Sequence, residues 1–162
     1  MTRQEITEFY REHHGRLYNI AWRILRDSDD AEEVMQDTIL KYVTRSGAVS
    51  LSGPQESAWL ARTCIRASID RLRERHRRDV FLEEYAQEAE EKTDDVPVQV
   101  LTMDKVKEAM EKLTEPYRLV LDLVLIEGLD YEEISAFTGK KEVTLRSIYS
   151  RGKEKLKKLL TV

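Results

Sequence analysis

A strongly acidic segment in the middle of the chain limits what the rest of it can fold into. Residues 79–104 contain nine acidic residues and one lysine, a net charge of −8, and Pro97 interrupts them. So much charge with so few apolar residues predicts a flexible linker, with at most a nascent helix at 81–89. The two flanking stretches, 1–78 and 105–162, must therefore each build a core of their own.

Hydrophobic periodicity predicts that both flanking stretches are helical. Apolar residues recur at intervals of three and four, which is the spacing of one face of an α-helix, and no alternating strand pattern is present. The chain has only 6 Gly and 3 Pro, so we expect few turns. The predicted helices span about 2–26, the residues after Asp30 up to 45, 56–78, 106–113, 116–127, 130–138 and 142–160, with a Ser- and Gly-rich loop at 46–57. The expected fold is all-α, with two small helical domains joined by the linker.

Composition also indicates the cellular location and excludes several classes of protein. The single cysteine, Cys64, excludes an internal disulfide and fits a reducing, cytoplasmic location. No run approaches 18 apolar residues, so we expect no membrane insertion, and the start MTRQEITEFY lacks the apolar core of a secretory signal. The sequence contains no Gly-rich phosphate loop and no CxxC, so no cofactor is predicted.

The stretch DYEEISAFTGKKEVTLRSIYSR, residues 130–151, has the pattern of a helix-turn-helix. Asp130 and Glu133 have capping-box spacing, and Gly139 supplies the turn. The second helix has an apolar face, made of Leu145, Ile148, Gly152, Leu156 and Leu159. Its polar face carries Arg146, Ser147, Ser150 and Arg151, preceded by Lys140 and Lys141. Such a face suits bases and phosphates in a major groove; the alternative is an α-hairpin with a solvated charged face.

A second basic pattern lies on the third predicted helix. At helical spacing, one stripe contains Trp59, Arg62, Arg66, Arg73 and Arg77, interrupted by Asp70. Cations that meet phosphates and an indole that stacks on a base suit single-stranded or melted nucleic acid. The alternative is that Trp59 fills the core and the arginines are solvated.

A third pattern lies on the second predicted helix, opposite its apolar stripe. Glu33, Gln36, Asp37 and Leu40 project together there. A leucine among acidic residues on an outward face suggests a docking surface for a basic partner helix, although single exposed leucines are common.

In this order, these pieces resemble an extracytoplasmic-function (ECF) sigma factor, the small two-domain group of the sigma-70 family. The resemblance rests on DAEEVMQDT at 30–38, the AWL…ID-x-LR helix, and Arg118 followed by the helix-turn-helix. It implies a region 2 domain at 1–78, a bundle of three to four helices, and a region 4 domain at 105–162. The linker, 79–104, would then thread along the template and RNA channels of RNA polymerase.

The resemblance also implies partners and contact residues. Region 2 would dock on the bacterial RNA polymerase core through Glu33, Gln36, Asp37 and Leu40. It would melt the −10 element with Trp59, Arg62, Arg66, Arg73 and Arg77, while the loop at 46–57 holds an extruded base. Region 4 would bind the duplex −35 element with Arg118, Lys140, Lys141, Thr144, Arg146, Ser147, Ser150 and Arg151. An anti-sigma factor is a further implied partner.

Four positions depart from the family pattern. Arg66 stands where the family usually has Asn, Val143 where it has Gly, and Ile148 where it has Arg. Lys140 replaces an apolar residue. These changes are compatible with the fold, but they prevent prediction of the promoter sequence.

Three other classes of protein fit parts of the sequence. A stand-alone helix-turn-helix regulator would bind duplex DNA without polymerase, and a helical adaptor would not bind nucleic acid at all. An enzyme is the weakest reading. His13 projects onto the apolar face of the first helix, as a core histidine does, and Cys64 is expected to be a buried thiol. His76 lies in an arginine run and suits phosphate or solvent.

Overall fold

The computed structural model describes residues 1–45, 51, 53–78 and 102–160. Residues 79–101 of the predicted linker, and residues 46–50 and 52 of the predicted loop at 46–57, lie outside the described residues. The last part of the predicted linker is helical instead, because the Thr102 hydroxyl accepts the Lys105 N–H and caps a helix that begins at Met103. The described residues form seven α-helices and no strand: α1 Arg3–Leu25, α2 Ser28–Val43, α3 Gly53–Arg78, α4 Met103–Met110, α5 Glu115–Leu121, α6 Tyr131–Thr138 and α7 Glu142–Leu160. Backbone contacts divide the chain into two units, Met1–Arg78 and Asp79–Val162.

In the first unit, α1, α2 and α3 pack against one another. Thr2 and Glu5 form a capping box at the start of α1, and Asp27 Oδ1 accepts the Asp30 N–H at 2.9 Å at the start of α2. The core is aliphatic and draws on all three helices. Its buried members include Leu17, Ile20, Ile24, Val34, Met35, Ile39, Leu60, Ile65, Ile69 and Leu72.

The third helix begins at Gly53, earlier than the start near residue 56 that the Ser- and Gly-rich composition predicts. Pro54 therefore lies in the first helical turn and not in a loop. That position tolerates proline, because the first N–H groups of a helix have no intrahelical partner. Glu56, also in the first turn, favours the positive end of the helix.

In the second unit, a cluster of buried residues joins α4, α5 and α7: Ala109, Met110, Leu113, Tyr117, Leu121 and Leu156. Gly152 allows α7 to approach α5 closely, because a Cβ at this position would lie 3.3 Å from Leu121 Cδ1 and from Tyr117 Cβ. After Leu121 the helix continues as a wider π-helical turn, Asp122–Ile126. Gly128, which has a φ of +70°, follows this turn. Packing against α4 and α5 thus fixes the position of α7 within the second unit.

Candidate nucleic-acid interface

Local hydrogen bonds fix the predicted helix-turn-helix of α6 and α7. Asp130 Oδ1 accepts the Glu133 N–H at 2.8 Å and caps α6. Gly139 ends α6 with φ +75°, a conformation that glycine adopts without steric cost. The Ser135 hydroxyl donates to the Lys140 carbonyl at 2.7 Å, which ties the turn back to α6. The helix-turn-helix predicted from the sequence is therefore present.

The two faces of α7 separate as its sequence predicts. Leu145, Gly152 and Leu156 are buried, and Ile148 and Leu159 are half-buried against the core. The opposite side is solvent-exposed, and its polar residues are Lys140, Lys141, Thr144, Arg146, Ser147 and Ser150. Arg151 is half-buried. Seven of the eight residues expected to contact the −35 element therefore lie in the turn and the first half of α7.

Two of these arginines also make contacts inside the protein. The Arg146 guanidinium lies 5.5 Å from the centre of the Tyr131 ring, an arrangement that favours a fixed orientation of the arginine. Burial raises the pKa of Tyr131, although the nearby Arg146 charge opposes the shift. Arg118, the eighth expected contact, is half-buried, and its Nη1 donates to the Leu113 carbonyl at 3.3 Å. Arg118 thus helps to close the turn between α4 and α5.

The arginines of the predicted basic stripe of α3 are exposed. Arg62, Arg66, Arg73 and Arg77 are all solvent-exposed, whereas Trp59 is half-buried. The stripe therefore forms a positive surface on the first unit, with the indole at its beginning. The half-buried Trp59 ring contacts Tyr42 and Arg45.

Two further arginines of α3, Arg71 and Arg75, have a structural role that the sequence pattern did not predict. Arg71 lies between two acids of α2: its Nη2 is 3.1 Å from Glu33 Oε1, and its Nη1 is 3.3 Å from Asp30 Oδ1. Arg75 Nη2 is 2.9 Å from Asp30 Oδ2, and its Nη1 donates to the Leu25 carbonyl at 2.8 Å. The hydrogen bond from Arg71 lowers the pKa of Glu33. The available signal was that Arg71 and Arg75, four residues apart, share one face of α3, while Asp30 and Glu33, three residues apart, share one face of α2.

A group of aromatic side chains surrounds the ends of α2 and α3. Tyr42 stacks on Phe9 with ring centres 4.6 Å apart and meets Trp59 edge-on at 5.5 Å. The Arg45 guanidinium lies 4.8 Å from the Tyr42 ring and 5.2 Å from the Trp59 ring. Arg45 precedes the predicted loop and Trp59 follows it, so this contact brings the two sides of the loop together.

Glu56 joins this aromatic group to α1. One carboxylate oxygen accepts the Tyr42 hydroxyl at 2.9 Å, and the other accepts from His13 Nε2 at 2.9 Å. His13 is only 6% exposed, which confirms the expected core histidine. Because α1, α2 and α3 each contribute one of the three residues, the network fixes the first turn of α3 relative to both neighbours.

The outward face predicted on α2 is present. Glu33, Gln36, Asp37 and Leu40 are all exposed, and Leu40 is 57% exposed. Glu33 is partly engaged by Arg71, and Gln36 Nε2 donates to Glu32 Oε1 at 3.3 Å. The result is an acidic surface with one apolar side chain that the core of the unit does not use.

Of the groups considered for enzyme chemistry, His13 and Cys64 are buried in the core of the first unit. Cys64 is fully buried, and its thiol donates to the Leu17 carbonyl at 3.3 Å. His14 is exposed and hydrogen-bonded to its own helix, at the Tyr10 carbonyl. Within the described residues, no group of three or more His, Cys, Asp or Glu side chains is arranged to hold a metal ion. None of the described helices is both long enough and apolar enough to cross a membrane.

Comparison with known proteins matches both units. The family model Sigma-70 region 2 matches residues 9–78, and Sigma-70, region 4 matches residues 103–156. The ECF RNA polymerase sigma factor SigE of Mycolicibacterium smegmatis is 33% identical over 159 residues, 94% of this chain. The ECF RNA polymerase sigma factor SigM of Mycobacterium tuberculosis is 27% identical over 158 residues, covering 98% of this chain and 78% of SigM. The chain spans 60% of the length of SigE.

A solved structure has the same fold. The sigma factor RpoE, in complex with the anti-sigma factor NepR from Bartonella quintana, matches with a TM-score of 0.53 at 23% sequence identity, covering 98% of each chain. The two family models, which match in the order region 2 and then region 4, together with the ECF relatives, establish the family. The chain belongs to the extracytoplasmic-function group of the sigma-70 family.

Proposed function

We propose that this protein is a promoter-specificity subunit of bacterial RNA polymerase. It binds the polymerase core, directs it to particular promoters and promotes melting of the DNA at the start site. The observation that carries the proposal is the order of two sigma-70 regions along the chain, each with an exposed basic helix. A stand-alone regulator needs one DNA-binding helix and no second basic surface for melted DNA.

The first unit, residues 1–78, is proposed to dock on the polymerase and to hold melted DNA. Docking uses Glu33, Gln36, Asp37 and Leu40, because an exposed leucine within an acidic surface suits a basic partner helix. The face is on α2 and the basic stripe is on α3, so the two contacts occupy different helices of one rigid core.

The stripe of α3 is proposed to bind the non-template strand of the −10 element. Arg62, Arg66, Arg73 and Arg77 supply positive charge for successive phosphates. Trp59 retains an exposed part on which an unstacked base can stack, which offsets part of the few kcal/mol that unstacking costs. The contact of Arg45 with Trp59 supports this role, because it fixes the indole beside the predicted base-holding loop.

The second unit, through its helices α4 to α7, is proposed to read the duplex −35 element. The proposed contacts come from the turn and the first half of α7, which carry Lys140, Lys141, Thr144, Arg146, Ser147, Ser150 and Arg151. Lysines suit phosphates, whereas Arg146 is able to make a bidentate contact to guanine. The packing of Arg146 on Tyr131 supports this assignment, since a pre-oriented arginine loses less entropy on binding.

Neither unit is expected to bind promoter DNA tightly by itself. When both are held on one polymerase, the second contact becomes intramolecular, and effective concentration raises the overall affinity without new interactions.

In this proposal the protein acts in the cytoplasm as a non-enzymatic factor that performs no covalent chemistry and needs no cofactor. We also propose an anti-sigma factor as a partner, since the sigma factor of similar fold is bound to one.

Run-off transcription tests the proposal. Bacterial core polymerase is incubated with fragmented genomic DNA, with and without the protein. Discrete transcripts that require the protein are expected, and their start sites define the −10 and −35 elements. Failure to bind core polymerase, combined with tight binding to duplex DNA, would contradict the proposal and favour a stand-alone regulator.

A further inference from the structure

We propose that Val143 makes the −35 reader of this protein specific for a thymine, through contact with the C5-methyl group of that base in the major groove. The inference rests on the proposed role of α7 and identifies a specificity-determining residue within it. It follows from the exposure of Val143, its place on the helix and the chemistry of base edges.

Val143 is unusually exposed for an apolar side chain. It is 70% exposed, more than any other large hydrophobic residue that the structure describes. A valine at an exposed helix position also disfavours the helix slightly, because its branched side chain is restricted against the preceding turn. Neither packing nor helix propensity therefore accounts for this residue.

The position of Val143 on α7 is as informative as its exposure. At about 100° per residue, Gly152 lies half a turn away around the helix axis. Since Gly152 is buried against α5, Val143 lies at the centre of the outward face. Arg146, Ser147 and Ser150 follow it at spacings of three, four and seven residues, which place them on the same face. Any surface that these polar residues contact must also meet Val143.

Helix geometry places Val143 at the end that reaches base edges. It is the second residue of α7, and in helix-turn-helix proteins the first residues of the recognition helix contact base edges in the major groove. Lys140 and Lys141 immediately precede the helix and suit the phosphates on the rim of the groove. Further along the same face, Glu154 carries a negative charge, so the later turns are less suited to approach DNA.

The groups that base pairs expose in the major groove determine which base Val143 favours. A valine side chain offers no hydrogen bond, so it gains nothing from a phosphate or from a donor or acceptor on a base. The C5-methyl of thymine is the one apolar group that the four base pairs present in the major groove. An exposed valine on a groove-facing surface therefore selects thymine over the other three bases.

The test replaces thymine by deoxyuridine, which pairs identically but lacks the methyl group. Each thymine of the −35 element found by run-off transcription is replaced in turn, on either strand, and open-complex formation is measured with core polymerase and the full-length protein. For the wild type, deoxyuridine at one position should reduce complex formation about fourfold, the effect of leaving about one methyl-sized group unburied. Replacement at the other positions should have little effect.

Two variants show whether that sensitivity passes through Val143. Val143→Ala should lose discrimination between thymine and deoxyuridine at that position, whereas Val143→Thr, which keeps one branch methyl, should retain most of it. Both variants are expected to fold, because the position is exposed. Retained sensitivity in Val143→Ala, insensitivity at every thymine in the wild type, or a −35 element without thymine would overturn the inference. Open complexes on the unmodified promoter test the proposed function separately, since they require no methyl contact.

Discussion

The two basic helices, α3 and α7, both pack an apolar face against their core, but they use their charged residues differently. In α3 the same residue type has two roles: Arg71 and Arg75 bind acids of α2, while Arg62, Arg66, Arg73 and Arg77 face solvent. In α7 the roles are divided more strictly between residue types, because leucines and Gly152 face the core, whereas Thr144, Arg146, Ser147 and Ser150 are exposed. In α3, the helical spacing of the arginines does not by itself distinguish those that pair with acids from those that face solvent. In α7, the contrast between apolar and polar residues is enough to predict which face packs against the core.

The largest expected effect concerns the outward face of α2, the helix to which the inward arginines of α3 are bound. Leu40→Asp should weaken binding to core polymerase by at least about 2 kcal/mol, roughly thirtyfold, if Leu40 is a central contact of the interface. Because Leu40 is 57% exposed, the melting temperature should stay close to that of the wild type. Binding is measured by fluorescence anisotropy, and folding by circular dichroism.

Leu40→Met is the matched control and should retain most of the affinity. If Leu40→Asp unfolds the unit instead, Leu40 belongs to the core, and the separation between docking face and core on α2 is wrong.

The next effect tests the apolar attachment of α7. Gly152→Val should destabilise the second unit by about 2 kcal/mol, because the added atoms meet Leu121 and Tyr117, where a Cβ would already lie at 3.3 Å. Gly15→Val is the control, since a Cβ at Gly15 would meet no atom within 4 Å. Thermal unfolding of both variants provides the comparison. Equal costs at the two glycines would contradict the close approach of α7 and α5.

A smaller effect is expected on the outward face of α7. Arg146→Ala should weaken −35-dependent transcription by about 1–2 kcal/mol, roughly tenfold, and relax the preference for one base. Core binding should be unchanged, because the docking face is in the other unit. Run-off transcription with matched and mutated −35 elements measures the loss. Reduced core binding would show that Arg146 does not act at the −35 element.

The ion pairs of α3 should contribute less to the free energy of unfolding than the packing of α7 does. Asp30→Asn removes the carboxylate shared by Arg71 and Arg75, and the expected cost is about 1 kcal/mol, since all three side chains are partly exposed. Asp29→Asn is the matched control, because Asp29 is an exposed acid in the same first turn of α2. Denaturant unfolding at low and high salt measures both. A cost for Asp29→Asn equal to that for Asp30→Asn would assign the effect to the helix dipole.

Low pH should weaken the contact between α3 and α2 that Arg71 makes with Glu33. The pKa of Glu33 is lower in the folded protein than in the unfolded chain, because Arg71 donates to its carboxylate. The stability from this pair is therefore complete above the unfolded pKa and is lost as the pH falls through the folded one. In Arg71→Ala this part of the acid sensitivity should disappear.

The smallest effect concerns the outward arginines of α3. Arg73→Ala should reduce the salt dependence of binding to single-stranded DNA by somewhat less than one counterion, with little effect on stability. Arg71→Ala should show the opposite pattern, with lower stability and a nearly unchanged salt slope. Filter binding of the polymerase complex across a salt series measures both slopes. Equal slopes for the two variants would erase the distinction between inward and outward arginines.

Features set by local sequence were predictable from the chain. The seven helices, the Gly139 turn, the buried His13 and the two faces of α7 follow from spacing within one helix. The pairing of Arg71 with Glu33 and the stacking of Arg45 on Trp59 were missed, because they depend on which helices become neighbours. The early start of α3 was missed for another reason: Pro54 is typical of loops, but it is equally compatible with a first helical turn.

The most direct test of the account is permanganate footprinting of a promoter identified by run-off transcription. Permanganate oxidises unpaired thymines, so it reports melting without any need for RNA synthesis. With core polymerase and this protein together, thymines around the −10 element should become reactive, and neither component should produce that reactivity by itself. Protection of duplex DNA by the protein alone, with no reactive thymines when core polymerase is added, would contradict the account.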